Sequence, residues 1–220
     1  TPDYLIPQIV EGKWVQSEEA FYNAPSIDWA AQDIPNLRRR TRGHTYVLSW
    51  DLAVAKDGDW CIGVAWDVSA LPIIVPEVLE LPRGTKEPQI IEEMKAQLEF
   101  YNNERMGCSA FMVFDSTGMG GRIFQDDLAS LRPRPKGFDT AGSISKKLSI
   151  LKNLKTFLDK KWLIYPKSCT RMTFELKRYR RTDDKLQTDT VMANAMAAYW
   201  SARLLLPAKG QPLVSAPMMW

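Results

Sequence analysis

The chain has 220 residues, enough to bury a full core as one domain. Hydrophobic residues make up 45% and charged residues 25%, which excludes a disordered polymer, and no apolar run is long enough to span a membrane. The net charge of +3 defines no partner by itself, but Arg38-Arg39-Arg40-Thr41-Arg42 and Lys177-Arg178-Tyr179-Arg180-Arg181 form two basic clusters. Such runs either contact phosphates or solvate a face. The cysteines, Cys61, Cys108 and Cys169, have no CxxC spacing and read as free thiols in a reducing compartment. The lone histidine, His44, reads as a loop residue and leaves no base for a Ser-His-Asp or Cys-His centre.

The first 44 residues are expected to be irregular, because Pro2, Pro7, Pro25 and Pro35 interrupt them. This stretch reads as a wrapping or linking segment. A chain that opens at Thr1 without Met is expected to be a piece of a longer protein. Regular structure begins near Thr45. Tyr46, Leu48 and Trp50 alternate with Val47, Ser49 and Asp51, the period of a strand. Lys56-Asp57-Gly58-Asp59 reads as a turn into a second, mostly apolar strand from Trp60 to Val68. A third runs from Ile73 to Leu81, so an antiparallel meander is expected. Pro88 suits the first turn of a helix that carries Ile90, Ile91, Met94, Leu98 and Tyr101 inward and ends near Arg105.

A fourth strand follows from Ala110 to Phe114, and Thr117-Gly118-Met119-Gly120-Gly121 turns into a helix with Phe124 and Leu128 inward. This glycine-rich turn lacks the GxxxxGK[ST] pattern, which argues against nucleotide hydrolysis; it is either a helix N-terminus near a phosphate or a plain turn. Ser143 could cap a helix carrying Leu151, Leu154, Phe157 and Leu158. Trp162 to Tyr165 is a short strand stopped by Pro166, a helix with Met172, Leu176 and Tyr179 comes next, and a last helix runs from Asp189 to Leu204. This order calls for an α/β fold, a mixed sheet flanked by helices.

Three acids end or open these elements. Asp51 closes the first strand, Asp115 closes the fourth, and Asp189 opens the last helix. If the two strands are neighbours, both carboxylates emerge at one sheet edge. Converging carboxylates hold hard divalent metals, and two such ions about 3.5–4 Å apart can activate water and stabilise a leaving oxygen in phosphodiester hydrolysis. The competing reading is structural: Asp51 and Asp115 start turns, and Asp189 is a helix N-cap. Asp57, Asp59, Asp183 and Asp184 are auxiliary candidates or solvated turn residues, with Asp59 favoured over Asp57 because it abuts a buried strand. Lys177, Arg178, Arg180, Arg181 and Lys185 are the candidate DNA contacts.

These motifs resemble the nuclease domain of the bacteriophage large terminase subunit, a DNA-packaging motor protein. Ile9-Val10-Glu11-Gly12-Lys13-Trp14-Val15, followed by Phe21, is similar to the segment where that family's ATPase part passes into its nuclease part. Ser49-Trp50-Asp51-Leu52-Ala53, Val113-Phe114-Asp115-Ser116-Thr117-Gly118 and Thr188-Asp189-Thr190-Val191 resemble its three acidic motifs. The pattern departs at the third motif. Many relatives carry two adjacent acids there, whereas Thr188 precedes Asp189 here, which leaves Asp183 or Asp184 open as sharers of the role.

The resemblance implies an RNase H-like domain over residues 45–206, a linker from an upstream ATPase part over 1–44, and a tail over 207–220. It implies an endonuclease that cuts double-stranded DNA with little sequence preference during viral genome packaging, using two Mg²⁺ or Mn²⁺ ions in the host cytoplasm. Portal protein and small terminase subunit are the implied partners. Two rivals stay open: another RNase H-like enzyme such as a recombinase or junction resolvase, and a non-catalytic DNA-gripping or portal-docking module.

Overall fold

In a computed structural model of the chain, residues 20–52, 60–117, 121, 124, 126–139, 144–180 and 188–205 are described. The stretch expected to be irregular contains a helix, α1 (Ala24–Ala30), and a two-residue strand, β1 (Ala31–Gln32). Pro25 does not prevent it. It sits in the first helical turn, where a missing N–H breaks no helical bond, and Ile27 and Ala30 bury themselves in the core.

The meander is present as expected. Strands β2 (Thr45–Asp51), β3 (Cys61–Asp67) and β4 (Ile73–Leu81) pair antiparallel in sequence. Helix α2 (Glu87–Tyr101) starts at the predicted proline and ends before Arg105, because Asn102 leaves helical geometry and a separate 3-10 turn covers Glu104–Met106. Strand β5 (Ser109–Asp115) then runs parallel to β2. Next comes β6 (Lys136–Phe138), a short edge strand parallel to β5 that periodicity does not disclose. Helix α3 (Ile144–Asp159), strand β7 (Leu163–Pro166), helix α4 (Thr170–Arg178) and helix α5 (Asp189–Leu205) complete the described order. The seven-stranded mixed sheet reads β1-β7-β4-β3-β2-β5-β6.

Alternation in β2 divides the core between the two sheet faces. Tyr46, Leu48 and Trp50 join α2 residues Ile90, Met94, Leu98 and Tyr101 on one face. Val47 lies on the other, with α3 residues Leu154 and Leu158, α4 residues Met172 and Leu176, and most of α5. Every residue from Asp189 to Ala198 is buried. Such a run has little amphipathic period because α5 lies between the sheet and other helices. Its alanines let the helix approach closely, and Asn194 fixes its height by accepting from Trp66 Nε1 at 2.9 Å and donating to the Thr190 carbonyl at 2.7 Å. Among the described residues, no helix is long and apolar enough to cross a membrane.

Trp50 is locked from two sides. Its Nε1 donates to Gln97 Oε1 at 2.8 Å, Gln97 Nε2 donates to Glu77 Oε2 at 3.0 Å, and Arg38 Nε donates to Glu77 Oε1 at 2.6 Å. Across the strand it faces Gly63, where an added Cβ would stand 2.6 Å from the indole. Gly63→Ala must therefore displace a ring held by hydrogen bonds. It is expected to destabilise by about 1–3 kcal/mol, the usual cost of overpacking a core. A thermal melt checks this, and an unchanged midpoint would show that the ring is not held.

Candidate active site

The parallel register of β2 and β5 builds the site. Ser49 pairs with Val113 and Trp50 with Phe114, so Asp51 and Asp115 stand at the next level, at the carboxyl ends of adjacent strands. Neighbouring strands lie about 4.8 Å apart. Both acids also share a face. Val113 faces the α5 side and Phe114 the α2 side, so Asp115 returns to the α5 side, as Asp51 does after Trp50.

Helix α5 brings the third acid to this edge. Asp189 occupies its first turn, and the backbone N–H of Trp60 donates to Asp189 Oδ2 at 3.0 Å. Trp60 immediately precedes β3, whose Ile62 pairs with Asp51. Asp189 is therefore tied to the strand beside Asp51. The N-cap reading of Asp189 needs correction: it lies inside the helix, and its Oδ2 is engaged by a donor from another element. It is only 5% exposed. A negative charge there is favoured by the helix dipole but disfavoured by burial.

Asp115 combines the turn and the strand-end roles. Its Oδ1 accepts from the Thr117 backbone N–H at 2.9 Å and from Thr117 Oγ1 at 2.5 Å, so it does start a turn. The turn holds the carboxylate at the strand end. Gly121 packs against the same turn, where a Cβ would lie 2.2 Å from Ser116 Cα. Backbone contact of that kind is sufficient to require a glycine at position 121. Gly118 and Gly120 lie outside the described residues, as do Asp57, Asp59, Asp183, Asp184, Arg181 and Lys185.

The three aspartates supply oxygen only, the donor set that suits a hard divalent ion. Among the described residues, no three His, Cys, Asp or Glu side chains are already gathered closely enough to hold one. Glu175 is an acid that sequence reasoning missed. It sits on α4, 4% exposed, and its Oε2 accepts from the Thr190 N–H at 2.8 Å and from Thr190 Oγ1 at 2.6 Å. Burial raises its carboxyl above the usual range. The Thr190 bonds oppose the rise, and the nearby Asp189 charge adds to it. Its place in an apolar-spaced helix between Met172 and Leu176 was the available signal.

The basic clusters divide. Arg38 pairs with Glu77 at 2.6 Å and with Glu93 at 3.3 Å, and the Arg40 guanidinium lies 4.4 Å from the Phe100 ring centroid. These two arginines bind the protein itself. In the second cluster, Lys177 pairs with Asp28 at 2.5 Å and Arg178 lies 4.9 Å from the centroid of the half-exposed Phe174 ring. His44 is more than a loop residue, since its Nδ1 meets Asp67 Oδ2 at 2.7 Å at the opposite end of β2. All three cysteines are free and buried, and burial pushes the Cys169 thiol up to about 12.

No protein-family model matches the chain, and no curated protein matches it. Solved structures do. The large terminase nuclease from thermophilic phage G20c with bound magnesium is 20% identical with a TM-score of 0.64, covering 82% of this chain and 98% of that one. The zinc-bound form of the same nuclease is 22% identical with a TM-score of 0.61, covering 79% and 95%. The Thermus phage P74-26 large terminase nuclease domain is 21% identical with a TM-score of 0.57, covering 79% and 92%. A large terminase from a further thermophilic bacteriophage, solved with ADP, is 15% identical with a TM-score of 0.61; this chain spans about half its length, 50%. The mixed sheet and its flanking helices are thus the RNase H-like fold that the phage large terminase nuclease domains share.

Proposed function

We propose that the chain is a divalent-metal-dependent endonuclease domain that cuts double-stranded DNA during viral genome packaging. The observation that supports this reading is that Asp51 and Asp115 end adjacent parallel strands while Asp189, in the first turn of α5, accepts from the Trp60 N–H just before β3. Three acids there are costly unless a cation joins them. The fold's relatives solved with magnesium, zinc and cobalt support a divalent ion as that cation. The ADP-bound large terminase, about twice the length of this chain, supports an ATPase part in the same protein; of the expected connection over residues 1–44, Ala24–Gln32 belong to the folded domain as α1 and β1. The working place in this reading is the host cytoplasm, with portal protein and small terminase subunit as partners.

In this reading Asp51, Asp115 and Asp189 hold the ion pair, Mg²⁺ or Mn²⁺, and Asp57, Asp59, Asp183 and Asp184 are the auxiliary candidates. When bound, the ions supply an activated water and charge compensation for the leaving 3′ oxygen. The protein's own contribution is rigidity. The locked Trp50 fixes the end of β2, the Thr117 turn fixes Asp115, and Trp60 fixes Asp189. Lys177, Arg178, Arg180, Arg181 and Lys185 hold the duplex backbone, a contact that positions DNA without reading its sequence.

Asp51→Asn, Asp115→Asn and Asp189→Asn are each expected to abolish plasmid cleavage while the protein stays folded. Apo melting points should hold or rise, because each change relieves repulsion among like charges. Parallel nicking assays and circular dichroism melts check this, and full activity in any one variant removes that residue from the ligand set.

Gly121→Ala is expected to lower cleavage more than DNA binding, because the added methyl must push the backbone that follows Asp115. Binding isotherms and single-turnover rates on one duplex compare the two; an equal loss in both would mean that the change unfolds the turn broadly.

Replacing Arg178, Arg180 and Arg181 by Ala should weaken binding of unrelated duplexes by similar factors. The slope of log affinity against log salt should shrink by about 0.9 for each phosphate that the protein no longer neutralises. An unchanged slope would assign these arginines to a solvated face.

A further inference from the structure

Helix α4 reaches the third carboxylate from two directions. Arg171 and Glu175 stand four residues apart and so share one helix face. The Arg171 guanidinium lies 3.9 Å from the Trp60 ring centroid, and its Nε is held by Glu80 Oε2 at 2.8 Å. Trp60 is the residue whose backbone N–H holds Asp189 Oδ2. On the other side, Glu175 takes both donors of Thr190, the residue after Asp189. Glu175 thereby satisfies an N–H in the first turn of α5, a task usually left to a residue at the helix's own start.

Cost is the informative part. Glu175 Oε1 is buried without a hydrogen bond of ordinary geometry among the described residues, and the Val191 N–H gives the carboxylate only weak further support. Position 188 already carries Thr188, a residue type able to cap a helix with its own hydroxyl, yet the Thr190 N–H goes to Glu175, so capping alone is a poor reason for this side chain. A second negative group beside Asp189 also works against stability. A rigid grip on both donors of Thr190 is what the carboxylate provides in return. It sets both the height and the rotation of the first turn of α5, and with them the direction in which the Asp189 side chain leaves the backbone.

We propose that α4 braces the third carboxylate and that Glu175 is the positioning residue for Asp189, with Arg171 acting through Trp60 from the other side. This rests on the nuclease reading above. Glu175 touches neither substrate nor metal in this proposal. It acts on where the Asp189 oxygens lie when a cation arrives.

The test compares the chain with its Glu175→Ala, Glu175→Gln, Thr190→Val and Asp189→Asn variants. Each is assayed for plasmid cleavage, for binding of Mn²⁺ alone by calorimetry, and for thermal melting. Glu175→Ala is expected to lower kcat and weaken Mn²⁺ binding by about tenfold or more, the usual scale for losing an outer-shell partner, with KM for DNA unchanged. Glu175→Gln keeps the accepting oxygen and should restore both to within about twofold. In the Asp189→Asn background, Glu175→Ala should weaken Mn²⁺ binding no further, because the two residues act through one carboxylate. If Glu175→Ala melts lower but keeps parental kcat and Mn²⁺ affinity while Asp189→Asn is inactive, the residue is only a cap. The proposal then falls and the nuclease reading stands. If Asp189→Asn cuts like the parent, the role of Asp189 and the proposal fall together. Should Glu175→Ala fail to fold, Thr190→Val decides: reduced kcat and Mn²⁺ affinity support the brace, and parental values overturn it.

Discussion

The parallel pairing of β2 with β5 is the constraint on which the rest depends. These strands are far apart in sequence, and between them lie a meander and a helix. Their register, Trp50 level with Phe114, decides that two carboxylates end side by side. A slip of one residue would send one of them to the opposite face, among Trp50, Phe114 and the α2 side chains. Large residues guard against that slip. Trp50 is tied through Gln97 and Glu77 to Arg38, and it fills the space that Gly63 leaves open. The polar chain behind Trp50 is therefore part of what places Asp51, although none of its members stands at the edge where Asp51 lies.

Electrostatics and packing pull in opposite directions at this edge. Asp189 is nearly buried, Glu175 is buried beside it, and Asp51 and Asp115 sit on adjacent strands. Apolar groups of equal size would pack there at lower cost. The structure offsets the repulsion with oriented dipoles: the Trp60 N–H on Asp189, both Thr117 donors on Asp115, and both Thr190 donors on Glu175. Dipoles of this kind soften the repulsion without neutralising charge. A divalent cation would neutralise it, which is the physical ground of the proposed metal-binding role.

Local chemistry made much of this legible in the sequence. Alternation around Trp50, the proline at the start of α2 and the small-residue run of α5 each reflect a physical requirement that one segment states alone, and the corresponding elements appear where expected. Long-range compensation hid the rest. Strand β6 contains Lys136 and Gly137 and has no strand pattern; it exists because β5 offers an edge to pair with. Helix α1 forms in a proline-rich stretch because Ile27 and Ala30 find a core. Arg38 and Arg40 read as either a phosphate contact or a solvated face, and neither reading discloses Glu77 and Phe100, their partners far along the chain. Glu175 was hidden for the same reason, since its partners are in the next helix. Asp51 and Asp115 could be named as candidates from their strand ends and Asp189 from its helix start, but the shared face of the first two depends on a register that no single segment contains.

Helix α5 carries two burdens that are usually separated. It is deeply enclosed, lying against the sheet and touching α3 and α4 residues in one core, and its first residue is the third candidate acid. A site on a loop could adjust without disturbing the core. Here a shift of Asp189 means a shift of the whole helix, resisted by Asn194 on Trp66 and by close alanine packing against the strands. Tight packing transmits small displacements instead of absorbing them. Rigidity of this sort lowers the reorganisation needed when charge develops during a reaction. Helix α4 stands against the start of α5, with Glu175 on both donors of Thr190 and Lys177 and Arg178 at its far end.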